Sequence, residues 1–312
     1  PASRDRPPAP SLALPPWLLS SLAAAWGEPA ALELARWSLE RPKRSLRLNP
    51  RRPTPDAKDR EPTTNEAPSS GPAENRKPKN ENCLLLPPGA GDLRSHPLVA
   101  SGAATPQEAG AILVTDALPL RPGAIVLDAC AGRGMKTTAL AERLPPDAVL
   151  LAADVNPEKL ARLAPELERL GLPPVETIAV DWSVGIAGIV GSFDAILVDA
   201  PCSGTGTLSR RPEIRWRLEP ADVARLAALQ QEILRRTSSL LAPGGVLLYA
   251  VCSLLPEEGP AQLRALLSAS PDLQPVPDAF PSPPWRPLDV GAALLPHESG
   301  TDGFYAALLR RD

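Results

Sequence analysis

Two cysteines stand where a parallel sheet would present them to a ligand. Cys202 closes the string Asp199-Ala200-Pro201-Cys202 after the apolar run 193–198, and Cys252 follows the apolar run 246–251. A lone cysteine is most often a small buried hydrophobe. Two at neighbouring strand ends, one of them close to a carboxylate, fit a reacting site better. Methyltransferases that act on amino groups carry Asp or Asn-Pro-Pro-aromatic at such a point; here a thiol replaces the aromatic. A thiol and an acid suit carbon 5 of cytosine, which is too weak a nucleophile to take a methyl group unaided. A thiolate adding to carbon 6 makes carbon 5 enamine-like, and a carboxyl group near N3 and the amine steadies the adduct. A base then removes the carbon 5 proton and the thiol leaves. The target base has to leave its stack first. Residue chemistry does not rank the two thiols, because DNA cytosine methyltransferases use the one that follows proline.

A cofactor turn is written upstream. Asp128-Ala129-Cys130-Ala131-Gly132-Arg133-Gly134 joins the apolar run 124–129 to a helix that opens with Met135 and Lys136. Gly132 and Gly134 let the backbone approach a ligand closely, and the spacing of a phosphate loop is absent. Asp154, after the run 149–153, suits a ribose diol, which NAD and S-adenosylmethionine share. Asp181, after the run 175–180, suits an adenine amine and favours S-adenosylmethionine. An NAD-dependent oxidoreductase leaves the paired cysteines unexplained.

Positioning these residues takes an α/β fold. Apolar runs alternating with helices at 105–118, 158–170 and 221–241 predict a Rossmann-like, mostly parallel seven-stranded sheet with helices on both faces. Residues 303–309 supply a last strand. Ahead of this catalytic domain (96–312), residues 1–16 read as a flexible tail and 17–49 as a small helical module that contacts RNA. Residues 50–95 read as a Pro-rich disordered or loop segment, too poor in large apolar side chains to offset the entropy of ordering.

The 312 residues carry a net charge of −3, so any nucleic-acid contact must be local. One basic patch is Arg41, Lys43, Arg44, Arg47, Arg51 and Arg52; another is Arg210, Arg211, Arg215 and Arg217, around Trp216. The four cysteines form no C-x-x-C pair, which points to reduced thiols in a cytoplasmic protein without a metal. Cys83 and Cys130 read as packing thiols. Arg4, Arg6 and the string Ala23-Ala24-Ala25 imitate a signal peptide, but Pro15-Pro16 interrupt it. No run reaches transmembrane length, and a monomer is expected. Beginning at Pro1 rather than Met, the chain fits a fragment of a longer protein.

From about Thr105 to Arg311 the sequence resembles the RsmB/Sun family of RNA cytosine-5 methyltransferases, which in bacteria modify 16S ribosomal RNA. The likeness is carried by Asp128-Ala-Cys-Ala-Gly-Arg-Gly-Met-Lys-Thr-Thr138, Asp199-Ala-Pro-Cys-Ser-Gly-Thr-Gly-Thr207 and Arg211-Pro-Glu-Ile-Arg-Trp216. It continues through Leu241-Ala-Pro-Gly-Gly-Val-Leu-Leu-Tyr-Ala-Val-Cys-Ser-Leu-Leu-Pro-Glu-Glu258 and Asp302-Gly-Phe-Tyr305. Trp17-Leu18-Leu19 and Arg47-Leu48-Asn49 are similar to pieces of the family's N-terminal region. The resemblance implies Cys252 as nucleophile, Cys202 assisting breakdown of the adduct, Asp199 holding the cytosine and Lys136 lining the site. It also implies S-adenosylmethionine on the 128–136 turn, Asp154 and Asp181. For RNA it leaves Arg44, Arg47, Arg210, Arg211, Arg215 and Arg217. Arg133-Gly134-Met135 stands where the family has Pro-Gly-Gly, and Val251 stands for a Thr. Residues 50–95 bear little likeness to the family's RNA-binding subdomain, and these residues hold no counterpart of its NusB-like helical domain. A tRNA substrate, or an RNA- and cofactor-binding factor with weak catalysis, are the alternatives.

Overall fold

The computed structural model describes residues 14–52, 82–87, 89–186 and 188–312. Of the expected tail over 1–16 and loop over 50–95, residues 1–13, 53–81 and 88 lie outside the described residues. The described part opens with a helical hairpin, α1 (Pro16–Trp26) and α2 (Glu28–Trp37). Each helix has a proline in its first turn, where no backbone donor is lost, and Gly27 makes the bend at φ +85°. Three short strands then pair antiparallel in the order β2-β1-β3: β1 (Arg44–Leu48), β2 (Cys83–Leu86) and β3 (Ala104–Pro106). Helix α3 (Pro97–Ala100) packs Leu98 and Val99 with Leu46 of β1. This corrects two expectations: residues 17–49 are not wholly helical, and 50–95 is not wholly loop. The partners in this sheet are separated by long stretches of chain and are short, so neither periodicity nor a turn signal announces them.

The main body follows as α4 (Ala109–Asp116), β4 (Ile125–Asp128), α5 (Met135–Arg143), β5 (Val149–Asp154), α6 (Pro157–Leu160), α7 (Leu163–Leu170) and β6 (Glu176–Ala179). It continues with β7 (Phe193–Asp199), α8 (Ile214–Arg217), α9 (Pro220–Ser239), β8 (Leu241–Val251), α10 (Pro260–Ala269) and β9 (Leu273–Pro275). Last come β10 (Arg286–Pro287), β11 (Ala292–Leu294), α11 (Pro296–Ser299) and β12 (Phe304–Arg311). The sheet runs β10-β11-β12-β8-β7-β4-β5-β6, with β9 on β12. Strands β8, β7, β4, β5 and β6 are parallel, and β12 is antiparallel to β8. Among the described residues this sheet has nine strands against the expected seven: six match the runs read in the sequence, and β9, β10 and β11 are two- and three-residue pieces with no period to read.

Strand alternation divides the core in two. Val126, Leu197 and Leu248 join α4, α5 and α7 on one face, while Leu127, Ile196 and Leu247 join α9 and α10 on the other. Both faces are covered, so the strands read as continuous apolar runs. From β4 the chain winds outward through β5 to β6, then returns to β7 on the other side of β4. That reversal opens a crevice at the carboxyl ends of β4 and β7, where open α/β sheets bind ligands. Asp128 and Asp199 are the last residues of those two strands, and Cys252 stands one residue past β8.

Candidate active site

The cofactor side is built around a carboxylate with a bare oxygen. Asp128 is fully buried; Thr137 Oγ1 donates to its Oδ2 at 2.7 Å, and its Oδ1 has no partner among the described residues. Burial pushes the carboxyl up to about 7, against the pull of the Thr137 hydrogen bond. The chain then turns into α5 through Gly132 and Gly134, both left-handed. Gly134 sits at φ +84°, a conformation that strains L side chains, and a Cβ there would also displace Leu163 of α7. Above Gly132 the space is open to 4 Å. The Gly132 amide donates to Asp154 Oδ2 at 2.8 Å and the Asn156 amide to Oδ1 at 2.9 Å, tying the ends of β4 and β5 together. Asp181 stands apart and exposed. Its Oδ1 accepts the Ser183 hydroxyl at 2.6 Å and amide at 2.9 Å, bonds that hold the carboxyl below its usual range. Cys130 is pushed well above the ordinary thiol range by burial and then by Asp128, Asp199 and Asp154, so it stays a neutral packing thiol.

On the reacting side, Cys202 Sγ and Cys252 Sγ approach to 3.4 Å. Lys136, in the first turn of α5, reaches across to β7 and places Nζ 2.5 Å from Asp199 Oδ2 and 5.6 Å from the Phe304 ring centre. Burial alone would lower the lysine. The charge and hydrogen bond of Asp199, with Cys252 and Asp128, outweigh it and hold Lys136 protonated. Cys202 is pushed well above the ordinary thiol range by its hydrogen bond to Cys252, by burial, and by the charges of Cys252 and Glu258. Cys202 therefore stays protonated beside Cys252, and Lys136 and Asp199 form a charged pair at the same strand ends.

Residues 115–310 match the model of the family described as 16S rRNA methyltransferase RsmB/F. This chain belongs to the RsmB/F family. The ribosomal RNA small subunit methyltransferase B of Pasteurella multocida is 39% identical over 215 residues, which are 65% of this chain and 47% of that protein. That of Erwinia tasmaniensis is 36% identical over 299 residues, 95% of this chain and 66% of that protein. The chain thus spans from about half to two thirds of the length of these relatives. The crystal structure of PH0851 is similar with a TM-score of 0.83 at 28% identity, over 98% of this chain and 70% of that one.

Several arginines expected to face RNA are committed inside this RsmB/F chain. Arg47 is buried; its guanidinium donates to both carboxylate oxygens of Glu142, at 2.7 and 3.0 Å, to Thr138 Oγ1 and Met135 O, and to Gln107 Oε1. Arg51 and Arg52 cap helix ends, donating to the carbonyls of Glu142 and Leu170. Arg44 donates to Gly91 O at 2.6 Å. In the second patch, buried Arg215 donates to Ser38 O at 2.8 Å, and Arg210 pairs with Asp302 at 2.7 Å. Charge counts along a sequence cannot see these partners. Arg211, Arg217 and Trp216 remain exposed, the last at 76%. Sequence reasoning also missed Glu258, Ser203 and Ser253, which form a buried cluster behind the thiols; only the Pro-Glu-Glu258 string after Cys252 hinted at it. Among the described residues no His, Cys, Asp and Glu group is arranged to hold a metal ion, and no helix is long and apolar enough to cross a membrane.

Proposed function

We propose that this chain is an RNA cytosine-5 methyltransferase that uses S-adenosylmethionine, acts on 16S ribosomal RNA and attacks with Cys252. The observation that carries this reading is the thiol pair, 3.4 Å apart past the ends of adjacent parallel strands, beside the Lys136–Asp199 pair. Names of the relatives as small-subunit ribosomal RNA methyltransferases support the substrate class.

The residues present fit the cofactor. The bare Oδ1 of buried Asp128 calls for a donor, Gly132 leaves open space above the turn, and Asp154 and Asp181 add acceptors at the next two strand ends. S-adenosylmethionine offers matching donors and, when bound, supplies a methyl group made electrophilic by its sulfonium. Asp154 would take the ribose hydroxyls and Asp181 the adenine amine. Cys130, Ala131, Gly132, Arg133, Gly134 and Met135 would lie along the ligand.

The chain's own residues do the rest. Cys252, its thiol proton released, adds through Sγ to carbon 6 of the cytosine and moves the π pair of the 5,6 bond to carbon 5, the atom that receives the methyl group. Asp199 faces N3 and the amino group, and Lys136 fixes the orientation of Asp199. Cys202 keeps its proton and donates it in a hydrogen bond to Cys252 Sγ, steadying sulfur charge before addition and again as the carbon–sulfur bond breaks. Loss of the carbon 5 proton to a base drives that release. Exposed Arg211 and Arg217 suit phosphates, and Trp216, with Arg215 5.4 Å from its ring centre on one side, suits a stacked base. Arg210 donates to Lys43 O, so the N-terminal module brings exposed Lys43 alongside this segment.

Transfer of labelled methyl from S-adenosylmethionine to 16S ribosomal RNA and to tRNA tests the reading. Label is expected in the 16S RNA. Removing Arg211 and Arg217 together should lower the salt slope of RNA binding by about 2 with little change in kcat. Label confined to tRNA would move the substrate, and tight RNA binding with no transfer to any RNA would contradict the activity.

A further inference from the structure

Glu258 touches no reacting atom in the chemistry above, yet it is 0% exposed and its carboxylate makes no salt bridge among the described residues. A carboxylate is expensive to bury unless hydrogen bonds surround it. Here the hydrogen bonds come from the two segments that carry the thiols. Oε1 accepts the Ser203 amide at 2.8 Å and Gln230 Nε2 at 3.1 Å; Oε2 accepts the Ser253 hydroxyl at 2.5 Å and that of Ser203. Ser203 directly follows Cys202, and Ser253 directly follows Cys252. Gln230 also donates to Pro201 O at 2.9 Å, gripping the other side of Cys202. Thr205 Oγ1 bridges to Ser253 Oγ at 3.1 Å and takes the Leu254 amide at 3.0 Å, while the Gly206 amide donates to Cys252 O at 3.0 Å. The acid is itself anchored, since Tyr249 OH donates to Glu258 O at 2.6 Å.

We propose that Glu258 is a positioning residue that clamps the segment after Cys202 to the segment after Cys252 and thereby sets the approach of the two thiols. Strands β7 and β8 bring these segments side by side, but the sheet ends before either serine. Beyond it, one carboxylate ties both. Cys202 packs with the apolar layer of α9 and α10, and Cys252 with the layer of α4, α5 and α7, so the thiols belong to opposite sides of the sheet and need a local tie to meet. The negative charge of Glu258 also reinforces the proton on Cys202, in line with its burial and its bond to Cys252. The proposal rests on the methyltransferase reading for its catalytic consequence, but not for the spacing of the thiols.

Two measurements on the full chain separate these. The first is the rate at which oxidised glutathione closes a Cys202–Cys252 disulfide, which reads thiol spacing whatever the protein methylates. The second is steady-state methyl transfer, with kcat and separate KM values for RNA and cofactor. Glu258→Ala is expected to slow disulfide closure and to lower kcat by about 100-fold, the order of loss from a misplacement near 1 Å, with both KM values within about 2-fold. Glu258→Gln can satisfy all four contacts once the serine hydroxyls rotate to accept from its amide, and it is expected to recover most of both rates. If Glu258→Ala does not fold, Ser253→Ala removes one arm of the same clamp and should move both rates in the same direction by about 10-fold. Disulfide closure and kcat unchanged in whichever of these variants folds would overturn the proposal. So would a loss appearing in KM alone. Slowed closure in a chain that methylates no RNA would keep the clamp and sink the proposed function instead.

Discussion

Asp128 ends β4 in full burial, with one oxygen on Thr137 and the other bare, and that arrangement has a price in stability. Its carboxyl keeps a proton up to about pH 7 in the folded chain, against the ordinary 3.8 once unfolded, with burial as the main cause. Between those values the folded state holds more protons than the unfolded one, so the contribution of Asp128 to stability is present in acid and is lost as pH rises through 7. Relative to Asp128→Asn, the parent is expected to lose about 1.4 kcal/mol per pH unit across roughly pH 5 to 7. Denaturant midpoints of the two proteins measure this, and parallel pH profiles would contradict it. At this scale the sequence was partly legible. Cys202, Cys252 and Asp199 stand out because rare or charged types close apolar runs, and Asp154 and Asp181 follow the same rule. Lys136 came from the family resemblance, and Glu258 remained hidden because the sequence does not say which of two adjacent glutamates turns inward.

Between elements, Arg47 reaches from β1 into the flank of α5. Its bonds to Met135 O, Thr138 Oγ1 and Glu142 brace the helix that begins at the glycine turn and carries Lys136. Removing one partner of a buried pair strands the other charge, so Arg47→Met is expected to cost about 3–5 kcal/mol. Cofactor affinity should weaken with it, because the first turn of α5 loses its brace. Denaturant unfolding and cofactor titration check both effects. Adding Glu142→Leu should restore part of the stability, and a double variant no better than the single would contradict the stranded-charge account. The long helices and the parallel strands were legible because their periods repeat over many residues. The sheet of β1, β2 and β3 was not, since pairing over such distances leaves no local pattern. Arg47 reads along the sequence as one member of a basic patch for the same reason: its partner Glu142 lies 95 residues away.

For the molecule as a whole, the continuous apolar runs called for a sheet covered on both faces, and the strand order then places Asp128, Asp199 and Cys252 along one edge. What the runs could not rank was the order of the two thiols. Family resemblance implies Cys252, and the proposed mechanism follows it, with Cys202 held protonated by its bond to Cys252, by burial and by the nearby charges. The proposed function assigns the two thiols of this site unequal roles. RNA carrying 5-fluorocytosine at the target position, offered together with S-adenosylmethionine, tests this most directly, because fluorine cannot leave as a proton and the adduct stays on the attacking sulfur. A stable protein–RNA adduct is expected in the parent and in Cys202→Ser, and none in Cys252→Ser. An adduct undiminished in Cys252→Ser and absent in Cys202→Ser would contradict the assignment.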